Sequence, residues 1–84
     1  MGKYDDSIAA INKAIALNLI ESVTFCGLRS IAYRYKGNLE TALRDAEKAY
    51  SFGPLNDWAR YSLGAVYLDQ GHYDESIKLL SQIK

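Results

Sequence analysis

The sequence predicts an all-α protein in which about five short helices stack as antiparallel pairs. One segment occurs three times, beginning at Gly2, Gly37 and Gly71, so that the copies lie 35 and then 34 residues apart. Between these glycines, apolar residues recur at steps of three and four, which is the period of an amphipathic helix. The sequence contains no strand-like alternation and no linker-like stretch. A period near 34 residues is typical of helical repeat arrays, in which each unit packs on its neighbours and offers a surface.

The first two helices are predicted over residues 4–18 and 22–36. The first carries Asp5 and Asp6 in its opening turn, where negative charge interacts favourably with the positive end of a helix. Gly37 follows the second helix and suits a left-handed stop, because glycine has no Cβ to clash in that conformation. Asn38 is then a favourable N-cap for the helix that comes next.

The remaining three helices are predicted over residues 39–52, 57–70 and 73–83. Gly53-Pro54 ends the first of these, because proline lacks the amide hydrogen that would continue the helix. Gly64 lies in the middle of the next helix, at a cost of about 1 kcal/mol relative to alanine. We therefore expect two helices to approach closely at that glycine. The connections are only a few residues long, so consecutive helices must run antiparallel.

Charge and hydropathy exclude several classes of partner. Ten basic residues balance ten acidic ones, so the chain lacks the net positive charge that nucleic-acid binding normally requires. Arg29, Arg34 and Lys36 lie close together in the sequence, either as a local basic patch or as cations near a helix C-terminus, and we favour the second interpretation. No apolar run approaches the ~20 residues that span a membrane, and no targeting signal is visible. The sequence therefore predicts a cytoplasmic protein without nucleic-acid or membrane partners.

The sequence offers little for catalysis. Cys26 is the single cysteine and His72 the single histidine, and they are far apart in the sequence. We interpret Cys26 as a buried structural thiol, since a reactive thiol requires a nearby base. One histidine without a metal-ligating neighbour at helical spacing does not form a zinc site. The predictions are accordingly no catalytic residue, no metal site, no cofactor and no enzymatic activity.

The residues from 58 to 83 resemble the tetratricopeptide repeat (TPR), a pair of antiparallel helices of ~34 residues. The family pattern places Leu-Gly before a tyrosine three residues on, then Gly-x-Tyr, then a small residue three further. The preceding unit is similar, although Ser30 stands where the family prefers glycine. The matching residues of the last unit are Leu63, Gly64, Tyr67, Gly71, Tyr73, Ser76, Leu80 and Ile83.

The resemblance covers essentially the whole chain and implies a single domain. It divides the chain into a half repeat at 2–21, a repeat at 22–56 and a repeat at 57–84. The first spacing is one residue longer than the second, so we expect the turn at residues 19–22 to differ from the turn at Gly53-Pro54.

Two features depart from the family pattern. Arg29 occupies a position where leucine is expected, which predicts poorer packing of that helix unless Leu28 compensates. The chain also opens in the middle of a repeat and ends without a polar capping helix, which terminal repeats normally need. We therefore expect apolar side chains of the terminal helices, among them Ile11, Leu79, Leu80 and Ile83, to be partly open. The chain is then either a fragment of a longer array or a self-associating protein.

The resemblance also implies a binding groove. In this family the first helix of each pair lines a concave face, which here places the groove on the second and fourth helices. The groove would suit an apolar or aromatic-bearing peptide, or an amphipathic helix. Only Arg34 could hold a terminal carboxylate, so a carboxylate clamp is not expected. The groove residues are Thr24, Ile31, Arg34, Tyr35, Trp58, Tyr61, Ala65 and Leu68, accompanied by Gly27, Ser62 and Asp69.

The sequence thus predicts a protein–protein interaction scaffold that binds another protein or a peptide. The principal contacts are expected from Arg34, Tyr35, Trp58 and Tyr61, since these residue types dominate interface energies. Trp58 has a second interpretation, in which it only covers the preceding helix pair. Two alternatives remain open for the whole chain: self-assembly into a homo-oligomer through exposed terminal helices, and an accessory part of a larger protein.

Overall fold

The fold is a stack of five α-helices, seen in a computed structural model that describes residues 2–16 and 23–83. No strand occurs among these residues, so the predicted all-α class is confirmed. The end of the first predicted helix and the turn at residues 19–22 lie outside the described residues. The helices are α1 (Lys3–Ala16), α2 (Val23–Lys36), α3 (Leu39–Phe52), α4 (Asp57–Asp69) and α5 (Tyr73–Leu80).

The helix bounds follow the local signals closely, with one exception. The predicted bounds of α3 are met at both ends, and α4 ends one residue before the predicted Gln70. The α5 helix ends at Leu80 rather than Ile83. The N–H groups of Gln82 and Ile83 donate to carbonyls three residues back, at 3.2 Å each, which makes a tighter turn than an α-helix.

The turns after α2 and α4 have the same geometry. Gly37 and Gly71 adopt φ angles of +93° and +82°, in the left-handed region that favours glycine. In both turns the N–H group of the following residue donates to the carbonyl five residues earlier, at 2.9 and 2.8 Å. This is the Schellman arrangement of a helix C-terminus. The predicted left-handed stops are confirmed, and the two glycines mark equivalent bends.

The N-termini of α3 and α4 are capped by asparagine side chains. The amide oxygen of Asn38 accepts from the N–H of Thr41 at 3.2 Å. The amide oxygen of Asn56 accepts from the N–H groups of Trp58 and Ala59 at 2.8 and 3.2 Å. These bonds satisfy N–H groups that the first turn of a helix would otherwise leave without a partner.

The helices form two antiparallel pairs, and α1 packs on the first helix of the first pair. The α2 helix packs on α3, and α4 packs on α5. The α1 helix contacts α2, α3 contacts α4, and α2 also contacts α4. The α2 and α4 helices therefore lie side by side on one face of a molecule that measures 35 × 27 × 18 Å.

Small residues let the paired helices approach within hydrogen-bonding distance. The Ser30 hydroxyl in α2 donates to the Ala42 carbonyl in α3 at 2.8 Å. At the equivalent crossing 34 residues later, the Ser76 hydroxyl in α5 donates to the Gly64 carbonyl in α4, also at 2.8 Å. A Cβ atom on Gly64 would lie 2.8 Å from Leu80 Cδ2. The close approach expected at Gly64 is thus confirmed.

The core is built from small side chains with aromatic rings around them. One buried cluster contains Ala42, Ala46, Leu63 and Val66, and a second contains Ala49, Ala59 and Cys26. Cys26 is fully buried, as predicted, and burial raises the pKa of its thiol. The residues that pack around the first cluster are Tyr33, Leu43, Tyr50, Tyr67 and Leu79.

Arg29 does not weaken the packing of α2, contrary to expectation. Its Nε and Nη2 atoms donate to the two carboxylate oxygens of Asp45 in α3, both at 2.9 Å. Its Nη1 atom donates to Asn12 Oδ1 in α1 at 2.7 Å. The hydrogen bond to Asp45 raises the pKa of Arg29. Leu28 is 41% exposed and does not compensate for the missing leucine. The ion pair to Asp45 and the hydrogen bond to Asn12 instead join α2 to both α3 and α1.

The terminal helices keep part of their apolar surface open, as expected. Ile11, Leu79, Leu80 and Ile83 are half-buried, and Leu79 also packs against the first core cluster. Tyr73 and Ile77 lie one turn apart on α5, and both side chains are exposed. Within residues 2–16 and 23–83, no helix has the length and the apolar character that a membrane crossing requires.

Candidate functional site

Helices α2 and α4 meet through Gly27, over which the indole of Trp58 lies. A Cβ atom at position 27 would lie 2.8 Å from Trp58 Cδ1 and 2.9 Å from Ser62 Oγ. The Trp58 Nε1 atom is buried and makes no hydrogen bond within the described part of the chain. The Trp58 ring stacks on Tyr61, with 5.9 Å between the centroids and 24° between the planes. Trp58 therefore covers α2, as the second interpretation expected, and also supports an exposed aromatic ring.

The guanidinium group of Arg34 in α2 forms an ion pair with Asp69 in α4. Its Nε and Nη2 atoms donate to the two carboxylate oxygens of Asp69, at 2.5 and 3.4 Å. The hydrogen bond to Asp69 raises the pKa of Arg34, and Tyr61 adds a smaller effect in the same direction. The guanidinium carbon lies 5.3 Å from the ring centroid of Tyr35, within cation–π range.

Tyr35 extends this arrangement to α1. Its ring stacks on Tyr4, with 5.6 Å between the centroids and 17° between the planes. Beside the two rings, Lys36 pairs with Asp5. Both tyrosines are exposed. Tyr4 was not among the predicted site residues, although it belongs to the repeated Gly-x-Tyr segment.

These side chains form a continuous row, which we call the aromatic belt. It runs across α1, α2 and α4 through two stacked ring pairs with one guanidinium between them. Three of its four rings are exposed. The members of the belt, in order, are Tyr4, Tyr35, Arg34, Tyr61 and Trp58.

The three clustered cations of the sequence are all paired across helices. Arg29 pairs with Asp45, Arg34 pairs with Asp69, and Lys36 pairs with Asp5. The partners lie on α3, α4 and α1. Arg34 and Lys36 also lie in the last turn of α2, as the helix-end interpretation expects, whereas Arg29 lies in the middle of that helix. Each carboxylate reaches its cation only because the helices cross where they do.

Several concave regions flank the belt, and two of them are lined mainly by apolar or aromatic side chains. An open cavity of about 480 Å³ lies beside Trp58 and Tyr61 and is completed by Asp57 and Ile83. Within the described residues, no group of three His, Cys, Asp or Glu side chains could hold a metal ion. The second region is a groove of about 450 Å³ between α1 and α2, which we call the α1/α2 groove. Its lining residues are Tyr4, Ser7, Ala10, Ile11, Leu28, Ile31, Ala32 and Tyr35.

A sequence profile of the tetratricopeptide repeat matches residues 33–84, which is more than half of the chain. The protein belongs to the tetratricopeptide repeat family. TPR repeats generally mediate protein–protein interaction, and the family is typically a non-enzymatic scaffold. No curated protein matches the chain with significant similarity.

The TPR fold separates the predicted groove residues into three groups. Arg34, Tyr35, Trp58 and Tyr61 come together in the belt. Ile31 lines the α1/α2 groove instead. Of the others, Thr24 and Leu68 are exposed, whereas Gly27 and Ser62 are buried and Ala65 is only 4% exposed. These three buried residues therefore present almost no surface to a partner.

Gly27 offers a direct test of the Trp58 position in this TPR protein. We expect Gly27→Ala to shift the fluorescence emission of Trp58, the only tryptophan, because the new methyl group would overlap the rigid indole. Overpacking costs about 1–3 kcal/mol and the gain in helix propensity offsets about 1 kcal/mol, so a net loss of stability follows. Emission spectra and urea denaturation measure both effects.

Gly64→Ala is the matched control for that variant. Its added Cβ would also lie under 3 Å from a neighbour, but that neighbour is the flexible end of Leu80. We expect an unchanged emission spectrum and a smaller loss of stability. If Gly27→Ala left the emission unchanged as well, the packing of Trp58 on α2 would be wrong.

Proposed function

We propose that this chain is a protein-interaction module that binds a peptide or a partner helix on the face shared by α2 and α4. The observation that supports this proposal is the aromatic belt, which concentrates exposed tyrosine rings, a tryptophan and an arginine in one row. These residue types most often carry the binding energy of interfaces. The belt is also held in place by ion pairs, so little ordering is required when a partner binds.

The charges of the belt indicate the chemistry of the ligand. Arg34 is already paired with Asp69, so a terminal carboxylate would have to compete with that ion pair. The open cavity beside Trp58 and Tyr61 is closed on one side by the aliphatic side chain of Ile83. The proposed ligand therefore presents an apolar or aromatic side chain to this cavity. Extended or helical backbone would then lie along the belt.

Tyr61→Ala tests this assignment. Peptides are selected from a random library on the wild-type chain, and their affinities are measured by isothermal titration calorimetry. We expect Tyr61→Ala to weaken binding at least tenfold, since truncation of an interface hot spot costs about 2 kcal/mol or more. Circular dichroism verifies that the variant retains its helices.

Tyr73→Ala is the matched control, because Tyr73 is an exposed tyrosine on α5, outside the belt. Its affinity for the same peptides should stay within about twofold of wild type, since surface substitutions away from a contact have small effects. Equal affinities for wild type and Tyr61→Ala would reject the belt as the binding face.

A second candidate function is self-assembly. Tyr73 and Ile77 expose apolar surface one turn apart on α5, and a second copy could cover them. Sedimentation velocity at high protein concentration distinguishes this candidate, because a monomer under those conditions would exclude it. The division into repeats at 2–21, 22–56 and 57–84 and the cytoplasmic location remain predictions from the sequence.

A further inference from the structure

The α1/α2 groove is the unfilled equivalent of a groove that the chain fills elsewhere. Helix α3 corresponds to α1 with an offset of 35 residues, and α4 corresponds to α2 with an offset of 34. The groove between α3 and α4 is occupied by α2, which contacts both helices. Within residues 2–16 and 23–83, no helix occupies the corresponding place on α1 and α2.

Burial of equivalent residues shows the same contrast. Ala42 of α3 is fully buried under α2 and accepts a hydrogen bond from Ser30, whereas its equivalent in α1, Ser7, is exposed. Ser62 of α4 is buried, whereas its equivalent in α2, Leu28, is 41% exposed. The α1/α2 groove thus has the backbone framework for one more helix, with its apolar lining still open.

The two grooves differ in the charges that would hold a helix. In the filled groove, Asp45 and Asp69 pair with two arginines of α2 that lie five residues apart. The equivalents of these aspartates in the α1/α2 groove are Ala10 and Tyr35. A helix with arginines at those two positions would lose water from its guanidinium groups without gaining a carboxylate partner there. Apolar side chains at the same positions suit the groove.

The serine hydroxyl in the groove does not change this preference. The Ser7 hydroxyl donates to the carbonyl of Lys3 in its own helix at 3.1 Å. The remaining side chains of the lining are aliphatic or aromatic. Lys36 and Asp5 lie next to Tyr4 and Tyr35, which line the groove, and these two charges neutralise each other.

We propose that the α1/α2 groove binds one amphipathic helix of a partner protein. This helix carries an apolar residue, a small residue directly after it, and a second apolar residue five positions after the first. The α4 helix shows this pattern at the positions equivalent to Arg29, Ser30 and Arg34 of α2. There it carries Leu63, Gly64 and Leu68. This proposal goes beyond the binding face on α2 and α4, because it requires no ligand there.

Two peptides from the chain itself serve as probes. Residues 56–70 supply the apolar pattern, and residues 22–36 supply the equivalent segment with arginines at both positions. Fluorescence anisotropy measures the binding of each labelled peptide to the 84-residue chain. We expect the 56–70 peptide to bind at least tenfold more tightly than the 22–36 peptide.

Ala10→Asp reverses this preference, because it places a carboxylate at the position equivalent to Asp45. The variant should bind the 56–70 peptide at least tenfold more weakly than wild type and should gain affinity for the 22–36 peptide. Ala9→Asp is the matched control, since Ala9 is exposed on the same helix and does not line the groove. It should leave both affinities within about twofold of wild type, as expected of a surface change.

Three results would overturn the proposal. The first is equal affinity of the wild-type protein for the two peptides, or no binding of either. The second is an effect of Ala10→Asp no larger than that of Ala9→Asp, which would place a bound peptide elsewhere. The third is a dimer in sedimentation velocity that Ala10→Asp dissociates, which would make a second copy the occupant. None of these three results affects the outcome of the Tyr61→Ala experiment, because Tyr61 does not line this groove.

Discussion

Asp45→Ala is expected to destabilise the protein by about 3–5 kcal/mol, the usual cost of removing one partner from a buried ion pair. The Asp45 side chain is 8% exposed and that of Arg29 is 17% exposed. Without the carboxylate, two of the guanidinium nitrogens lose their acceptors, and Asn12 remains for the third. A loss of this size is a large part of the ~5–15 kcal/mol by which small domains are stable.

Urea denaturation monitored by circular dichroism measures this loss, and Glu40→Ala is its control. Glu40 pairs with Arg44 at 3.3 Å on the surface of α3, where the two side chains are 82% and 73% exposed. Exposed pairs at this spacing contribute about 0.3–0.5 kcal/mol. Similar losses in Asp45→Ala and Glu40→Ala would show that the Arg29–Asp45 pair is not buried in solution.

The double variant Arg29→Leu/Asp45→Leu distinguishes the contribution of the ion pair to stability from that of the packing around it. The equivalent positions in the next repeat are Leu63 and Leu79, which pack together in the core. Replacing a buried ion pair with well-packed apolar residues is often neutral or stabilising. We therefore expect the double variant to regain most of the stability that Asp45→Ala loses. A double variant as unstable as Asp45→Ala would mean that the leucines cannot pack at this crossing.

Leu63→Ala is expected to cost about 2–5 kcal/mol, which is typical of truncating a buried leucine. Leu63 is 5% exposed and contacts a cluster of alanines and Val66. The neighbouring helix crossings are held by serine hydroxyls at 2.8 Å, so the helices have little freedom to close the new cavity. A cavity that cannot collapse gives losses toward the upper end of this range.

Thermal and urea denaturation measure this effect, with Leu55→Ala as the control. Leu55 lies in the turn between α3 and α4 and is 82% exposed. Its truncation should change the stability by no more than about 0.5 kcal/mol. A loss below about 1 kcal/mol in Leu63→Ala would show that the core rearranges to fill the space.

Short-range signals in the sequence were enough to predict the helices and their turns. Gly37 and Gly71 follow helices of similar length, and the left-handed conformation that each adopts depends mainly on the residues next to it. The same holds for the N-cap at Asn38 and for the bounds of α3. The close approach of two helices at Gly64 could also be predicted, because a glycine inside a helix requires a packing reason.

The charged and aromatic contacts could not be predicted in the same way. The family pattern places a leucine at the position of Arg29, and the partner of Arg29, Asp45, lies 16 residues away on another helix. Tyr4 and Tyr35 both belong to predicted amphipathic helices, but their stacking depends on how α1 crosses α2. The helical position of Ala65 predicts a place in the groove, but the side chain is only 4% exposed.

The amino-acid order alone established a stack of antiparallel helices with a period near 34 residues, because helix propensity, caps and glycine turns act over a few neighbouring residues. Packing between helices established which cations are paired, which rings form the belt and which groove stays open. Such contacts join residues that are distant in the sequence, and their distances depend on crossing positions that no single segment contains. The proposed binding surfaces of this protein consist of such contacts between helices.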